Sequence, residues 1–342
     1  MFLSRFFRDP YPDLDWIQVE VTSVCNAACV YCPHTVYRDR WRERHMPVEI
    51  FRSLLPAFRS AGLVFLQGWG EPLTHPRLLD MIRMAKAERC AVGTTTNGTL
   101  LDRRWVEAFV DTGLDVLGFS LAGLDERNDA VRRGTRFCRV MEAMETVRAV
   151  REQRGARRPR VHAAYMLLGT GLDELDRLPE RLASAGVEKT VISSLSFVPG
   201  PELEGAARLV RGAGEWPGLR KRLLDTRAEA AARSLDVRYH IVSPVGEATG
   251  CSEGVQQALV VGAEGAVAPC VMKGMPIRGP CSHRFSGRSV SHANRVFGQV
   301  DRVGLNTLWH REDYVRFRDT HRLGGVPDSC RHCLKRYIDP LV

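Results

Sequence analysis

Three cysteines near the start of the chain, Cys25, Cys29 and Cys32 in the string CNAACVYC, are spaced Cys-x3-Cys-x2-Cys. Thiolates so placed can hold three irons of a cubane and leave the fourth iron open. An open iron is what a site needs if its metal is to bind a substrate or cofactor directly rather than only carry electrons. Zinc is the alternative occupant, with His34 as a fourth ligand, although a zinc ribbon pairs two Cys-x2-Cys knuckles instead of showing a triplet. A second group lies toward the end of the chain: Cys251, Cys270, Cys281, and Cys330 and Cys333 in a Cys-x2-Cys knuckle. Cys251, Cys270, Cys330 and Cys333 together could ligate one cubane fully, and by spacing alone they suit zinc equally well. Cys281 is left over as a hydrogen-atom donor, a further ligand or a bystander. Cys90 and Cys138 stand alone and read as small buried hydrophobes.

The elements that must position these thiols follow from periodicity. Short apolar, β-rich runs alternate with amphipathic helical patterns over the first two hundred residues, which predicts repeated βα units on a parallel sheet. The six strands are drawn at Trp16 to Thr22, Leu63 to Gln67, Ala91 to Thr96, Val116 to Leu121, Arg160 to Leu168 and Thr190 to Phe197, with helices centred near Phe51, Ile82, Val106, Met144 and Leu178. Six units are too few for a closed eight-stranded barrel, so the fold expected is α/β, a partial (β/α)6 TIM-like barrel with its active site at the strand C-termini. The residues of interest gather there: the cysteine triplet after strand one, GWGEP after strand two, Asn97-Gly98 after strand three, and Ser120 closing strand four. Residues 1–200 form this barrel. Residues 201–248 bridge it through a helix near Trp216 to Ser234 and a strand, VRYHIVSP. Residues 249–342 form a small α+β extension with a hairpin turning at Glu264-Gly265 and a helix near Leu308 to Thr320.

Composition narrows the class. With 44% hydrophobic and 26% charged residues in 342, the chain can bury a large core. No run approaches the roughly 18 apolar residues of a membrane helix, and MFLSRFFRDP carries charges where a signal peptide needs an apolar stretch, so no membrane association and a cytoplasmic location are expected. In a reducing compartment grouped cysteines are metal ligands rather than disulfides. The net charge of +9 comes from Arg scattered over helices and reads as a solvated surface, not a nucleic-acid stripe. His34, His45 and His75 fall in loops, and His162, Tyr165 and Met166 on strand five are pocket-lining guesses weighed against a place in the core.

The triplet, with the aromatic Tyr31 before its last cysteine, resembles the hallmark of the radical S-adenosylmethionine (SAM) superfamily, over roughly residues 16 to 200. That resemblance implies a 4Fe-4S cluster whose open iron is chelated by SAM, reductive cleavage to a 5′-deoxyadenosyl radical, and a reduced flavodoxin or ferredoxin as electron donor. Gly70, Glu71 and Pro72 resemble the family's Gly-Gly-Glu-Pro motif at the SAM amino group, with Trp69 where a glycine is usual and therefore expected to lean on a neighbour. Ser120 resembles a serine near the SAM ribose and carboxylate. Arg133 resembles the arginine that pairs with that carboxylate, with Arg132 as the adjacent alternative. Asn97 matches a motif at the end of strand three, and Leu195 is a candidate adenine contact. The end of the chain, FGQVDRVGLNTLWHREDYVRFRD followed by CRHC, resembles the SPASM domain and its shortened relative, the twitch domain, which implies one auxiliary 4Fe-4S cluster on Cys251, Cys270, Cys330 and Cys333. Similar enzymes oxidise small molecules, modify peptides or mature cofactors. A net oxidation assisted by the auxiliary cluster is the leading expectation. A redox-neutral epimerase or peptide-modifying maturase using a cysteine thiol such as Cys281, and a zinc-binding interaction module, are the rivals.

Overall fold

A parallel sheet carries the fold, and its strands are the apolar runs read from the sequence. In the computed structural model, which describes residues 13–210, 212–243, 248 and 250–339, six strands come first. They are β1 (Leu14–Val19), β2 (Ala61–Leu66), β3 (Ala91–Thr96), β4 (Val116–Leu121), β5 (Arg160–Leu167) and β6 (Lys189–Ser194). Each pairs in parallel with the next. Parallel neighbours need crossovers, and helices supply them: α1 (Val48–Phe58), α2 (Leu78–Ala87), α3 (Arg103–Asp111), α4 (Phe137–Arg154) and α5 (Leu178–Ser184). Asp102 caps α3 by accepting from the Trp105 N–H at 2.9 Å, and Gly155, at φ +59°, ends α4 in the left-handed region. Phe51, Ile82, Phe109 and Met144 on the helices meet Ile17, Val64, Val92 and Phe119 on the strands in one continuous core.

The partial barrel is as expected, and its sheet continues past both edges. The bridging strand, β7 (Asp236–His240), adds in parallel to β6 beneath α6 (Trp216–Ala232). On the other edge β8 (Ala258–Val261) runs parallel to β1, pairing Trp16 with Ala258 and Val19 with Val261. The predicted hairpin then turns at Gly265 (φ +85°) into antiparallel β9 (Ala266–Ala268), which pairs with Gly298–Gln299. Ten strands thus form one sheet across the barrel and the C-terminal extension.

Several details differ from expectation. Strand one stops at Val19, because Thr22 turns away to bridge His45, and strand six stops at Ser194 so that Leu195 can pack beside Tyr31. The single helix expected near Leu308 to Thr320 is two, α7 (Leu305–Trp309) and α8 (Glu312–Arg322). At the break the Trp309 carbonyl accepts from Arg318 Nη2 at 2.8 Å, and that guanidinium stacks 3.7 Å from the Trp309 ring centre. A second hairpin, β10 (Cys281–Phe285) with β11 (Arg288–His292), was not anticipated. Cys90 is buried, but Cys138 is exposed on α4, which corrects its reading as a core residue. Residues 1–12, and Pro244 of the expected VRYHIVSP strand, lie outside the described residues. Among the described residues no helix is long and apolar enough to cross a membrane.

Candidate functional site

At the C-terminal ends of β1 to β4 lies a cavity of about 190 Å³ lined by Cys25, Cys29 and Cys32 together with Tyr31, Gly70, Glu71, Asn97 and Ser120. All eight are among the residues that the sequence singles out. Gln67, Thr95 and Arg132 complete the wall along with other neighbours. Burial pushes the Cys25 thiol up to about 11 and Cys32 to about 12, so as free thiols they hold their protons. A metal that binds them must displace those protons.

Backbone packing explains why glycine stands at position 70. A Cβ there would fall 2.4 Å from the Thr22 carbonyl oxygen and 2.6 Å from that of Val24, both in the segment that leads into Cys25. The Glu71 N–H also donates to the Val24 carbonyl at 2.9 Å, so this motif directly supports the thiol loop. The Glu71 carboxylate is buried and accepts three hydrogen bonds, from Thr96 Oγ1 at 2.8 Å, the Asn97 N–H at 2.6 Å and the Leu73 N–H at 3.2 Å. It ties the end of β3 to the end of β2. Burial raises its pKa against the pull of those donors. Pro72 opens the buried turn behind it and does not line the cavity. Asn97 donates from Nδ2 to Asn26 Oδ1 at 2.8 Å, linking the strand end to the cysteine string.

A two-residue ribbon closes the other side. Cys29 pairs with Arg132 and Ala28 with Arg133, antiparallel. Alternation along the ribbon turns Arg132 inward and Arg133 out: Arg133 is exposed, whereas Arg132 is buried and lines the cavity. Arg132 Nη1 donates to Tyr31 Oη at 2.8 Å, and its Nε has no partner. Burial opposes the guanidinium charge, but Tyr31, Cys29 and Cys32 outweigh it and hold Arg132 charged above the ordinary arginine range. A buried cation with an unmet donor is costly unless an anion completes it, and both a carboxylate and a thiolate-bound cluster are anions.

The second cysteine group converges as well. Cys270 and Cys330 are buried, with Cys251 and Cys333 partly so. Cys251 feels the charges of Cys333 and Cys330, and Cys270 those of Cys251 and Cys333. Burial raises all four thiols, Cys251 to about 12. Among the described residues no three His, Cys, Asp or Glu side chains close on a point where one metal ion could sit.

A model of the radical SAM superfamily matches residues 19–182, and one for an iron-sulfur cluster-binding domain, SPASM, matches residues 251–334. The chain belongs to the radical SAM superfamily. Membership brings SAM and iron-sulfur clusters as the cofactor classes, and the two cysteine groups fall one in each matched region. Among curated proteins it is 27% identical over 188 residues to a tungsten-containing aldehyde ferredoxin oxidoreductase cofactor-modifying protein of Pyrococcus furiosus, covering 53% of this chain and 52% of that one. It is 34% identical over 141 residues to a GTP 3′,8-cyclase of Chlorobaculum tepidum, covering 40% of this chain and 42% of that one. The chain thus spans about half or less of these relatives' lengths. Streptococcus suis SuiB bound to S-adenosylmethionine has a similar fold, with TM-score 0.66 at 14% identity over 96% of this chain and 72% of SuiB. So has anSMEcpe with bound AdoMet, with TM-score 0.64 at 15% identity over 94% of this chain and 87% of that one.

Where this radical SAM chain departs from the family motif, the structure supplies the reason. Trp69 stands edge-on to Trp41, 6.2 Å between ring centres, and its Nε1 donates to the Val271 carbonyl at 3.3 Å, one residue past Cys270. Its backbone N–H donates at 2.8 Å to Glu20 Oε1, whose other oxygen accepts from the Ala263 N–H at 3.4 Å. Burial pushes Glu20 up to about 7. The indole therefore joins the motif after β2 to the loop that carries a cysteine of the second group.

The remaining named residues lie elsewhere. Leu195 is buried against Tyr31, Leu168 and Val198 and does not line the cavity. Cys281, at the start of β10, packs with Trp69, Trp41 and Phe197 and points its Sγ at the His292 carbonyl, 3.8 Å away. His162 sits near the N-terminal end of β5, away from the barrel mouth, and burial lowers it to about 4. Tyr165 is core, its hydroxyl donating to the buried Glu174 at 2.6 Å, whereas Met166 on the opposite face joins the cluster around Tyr31. Arg132, the alternative that the sequence offers to Arg133, is the one that lines the cavity, whereas nothing in the sequence marks Gln67 or Thr95 as lining it.

Proposed function

We propose that this chain reductively cleaves SAM at a 4Fe-4S cluster on Cys25, Cys29 and Cys32, and that a second 4Fe-4S cluster on Cys251, Cys270, Cys330 and Cys333 assists a net oxidation of its substrate. Bound there, cluster and SAM supply a 5′-deoxyadenosyl radical that removes hydrogen from an unactivated carbon. The observation that carries the reading is Arg132, a buried guanidinium with an unpartnered Nε at the wall of a cavity that holds three thiols. Arg132 grips the SAM carboxylate in preference to Arg133, because only Arg132 faces the cavity. Gly70 lets main-chain carbonyls approach the SAM amino group, Glu71 fixes the strand ends that bear them, and Asn97 and Ser120 complete the wall on the ribose side. Leu195 acts through Tyr31, against which it packs.

A second cluster held by Cys251, Cys270, Cys330 and Cys333 would accept the electron left after hydrogen-atom removal from a small-molecule or peptide substrate, a proton passing to solvent, so that the net change would be a two-electron oxidation. A reduced flavodoxin or ferredoxin supplies the electron that begins each turnover. Oxidation is favoured over a redox-neutral course by Cys281, whose thiol is turned to the His292 carbonyl and lies outside the cavity wall. The test is anaerobic purification followed by iron counting and a 5′-deoxyadenosine assay with dithionite and SAM. About eight irons are expected in the wild type and about four in Cys270→Ala, which keeps SAM cleavage, whereas Cys32→Ala loses it. Zinc in place of iron, or cleavage surviving Cys32→Ala, would overturn the reading.

A further inference from the structure

The most unusual charge outside the SAM cavity is Lys273. It lies in the turn Val271–Gly274 directly after Cys270, and its N–H donates to the Cys270 carbonyl at 3.1 Å. Only 5% of the residue is exposed. Its Nζ has one recorded acceptor, the Ala293 carbonyl at 3.2 Å, and among the described residues no carboxylate lies within ion-pair distance. An ammonium carries three donors and a full charge, and burying it beside a single carbonyl is strongly unfavourable unless an anion lies close. A half-buried lysine shows the contrast. Lys335 is ion-paired with the half-buried Glu253 at 2.9 Å.

What faces Lys273 identifies the missing anion. It lines a cavity of about 220 Å³ with Cys333, Phe197, His283, His292, His332 and Asp328, the last an exposed carboxylate already paired with Arg331, and among the described residues it is the only lysine or arginine there. Of the three histidines in that wall, His283 and His292 are kept from competing by burial, which lowers both, His292 to about 3. Lys273 thus shares this wall with one cysteine of the second group, and its backbone N–H holds the carbonyl of another, Cys270. A cubane held by four thiolates is a net anion and gains a further negative charge on reduction.

We propose that Lys273 is the counter-charge of the second cluster, a positioning residue that favours the cluster's reduced form and so makes it a better acceptor for the substrate's electron. The proposal rests on the assignment of Cys251, Cys270, Cys330 and Cys333 to that cluster. No atom would be transferred: one electron would enter the cluster. Coulomb attraction acts without contact, and a buried charge is little screened by salt.

The experiment is an anaerobic redox titration of the holoenzyme followed by electron paramagnetic resonance, with iron counted on each sample. Lys273→Gln removes the charge while keeping a donor for the Ala293 carbonyl, Lys273→Met removes both, and Lys273→Arg keeps the charge. With about eight irons present, Gln and Met should each lower the reduction equilibrium of the second cluster about tenfold or more, or 59 mV per tenfold for one electron. Arg should stay near the wild type, and the first cluster should not move in any variant. Loss of the second cluster's iron from Gln and Met but not from Arg would also support the counter-charge. An unchanged potential in Gln with iron intact overturns the role of Lys273 alone. Absence of the second cluster's iron from the wild type overturns it together with the ligand assignment.

Discussion

Glu71→Gln removes one charge and swaps one oxygen for an NH2, yet the hydrogen bonds around it make it a severe change. One carboxylate oxygen faces the Asn97 N–H at 2.6 Å, and the other faces the Leu73 N–H at 3.2 Å and Thr96 Oγ1 at 2.8 Å. Both backbone groups can only donate. Whichever way round the amide sits, its NH2 meets a buried N–H, and one donor is left without a partner. That costs about 1 to 3 kcal/mol. With a urea m-value of about 3 kcal/mol/M, the unfolding midpoint should fall by about 0.3 to 1 M. Because the Glu71 N–H also holds the Val24 carbonyl, the shift should be accompanied by loss of iron from the Cys25, Cys29 and Cys32 site. Thr96→Val deletes the hydroxyl that donates to Glu71 and accepts from the Gly98 N–H at 3.0 Å, and a double-mutant cycle should show the two changes to be strongly non-additive. Equal midpoints and equal iron in Glu71→Gln and wild type would mean that the carboxylate does not hold these strand ends.

Three further outcomes follow from the geometry. Gly70→Ala puts a methyl group against backbone on two sides and should strip iron from the first site while leaving the second loaded; a full complement of about eight irons would refute the close packing. Burial lifts Glu20 from 4.5 to about 7, so the fold holds that proton more tightly than the unfolded chain does. Its contribution is therefore present below about pH 4.5 and is lost as pH rises through about 7, on the order of 3 kcal/mol in all. Urea midpoints taken at about pH 5 and pH 8 should diverge between wild type and Glu20→Gln, and parallel pH dependences would show that Glu20 ionises without penalty. Trp69→Phe keeps an aromatic ring but leaves the Val271 carbonyl without its donor, and should lower stability by about 1 kcal/mol in thermal unfolding; an unchanged melting temperature would remove the indole as a tie between the two cysteine groups.

Local signals made much of this molecule legible in its sequence. β3 and β4 occupy the residues drawn for them, because each is a short run bounded by turn residues and buried on both faces. The triplet, Gly70, Glu71, Asn97 and Ser120 could be named because they resemble family motifs and lie at or after the C-terminal ends of strands, which share one rim. What escaped was set by long-range pairing. Arg132 and Arg133 are equivalent as letters, and only the ribbon with Ala28–Cys29 decides which of them turns inward. The polar string CSHRFSGRSVSH has too weak an alternation to announce β10 and β11. Tyr165 follows His162 along strand five and so reads as pocket-lining, but its ring is core and its hydroxyl donates to Glu174 there. Nothing local foretells that the extension's first hairpin strand lies against β1.

That last pairing makes barrel and extension one folding unit rather than two beads on a string. The ladder between β1 and β8 is supplemented by hydrogen bonds from the Asp15 N–H to the Gln257 carbonyl and from the Glu20 N–H to the Val261 carbonyl, both at 2.8 Å. A barrel cut free of the extension would expose β1 as a bare apolar edge, the kind of surface on which chains aggregate. The spacing between the two cysteine groups is accordingly set by one continuous sheet. Grafting such an extension onto another barrel would require transplanting β1 together with its partner strand, since the join between the modules is a row of backbone hydrogen bonds, not a linker.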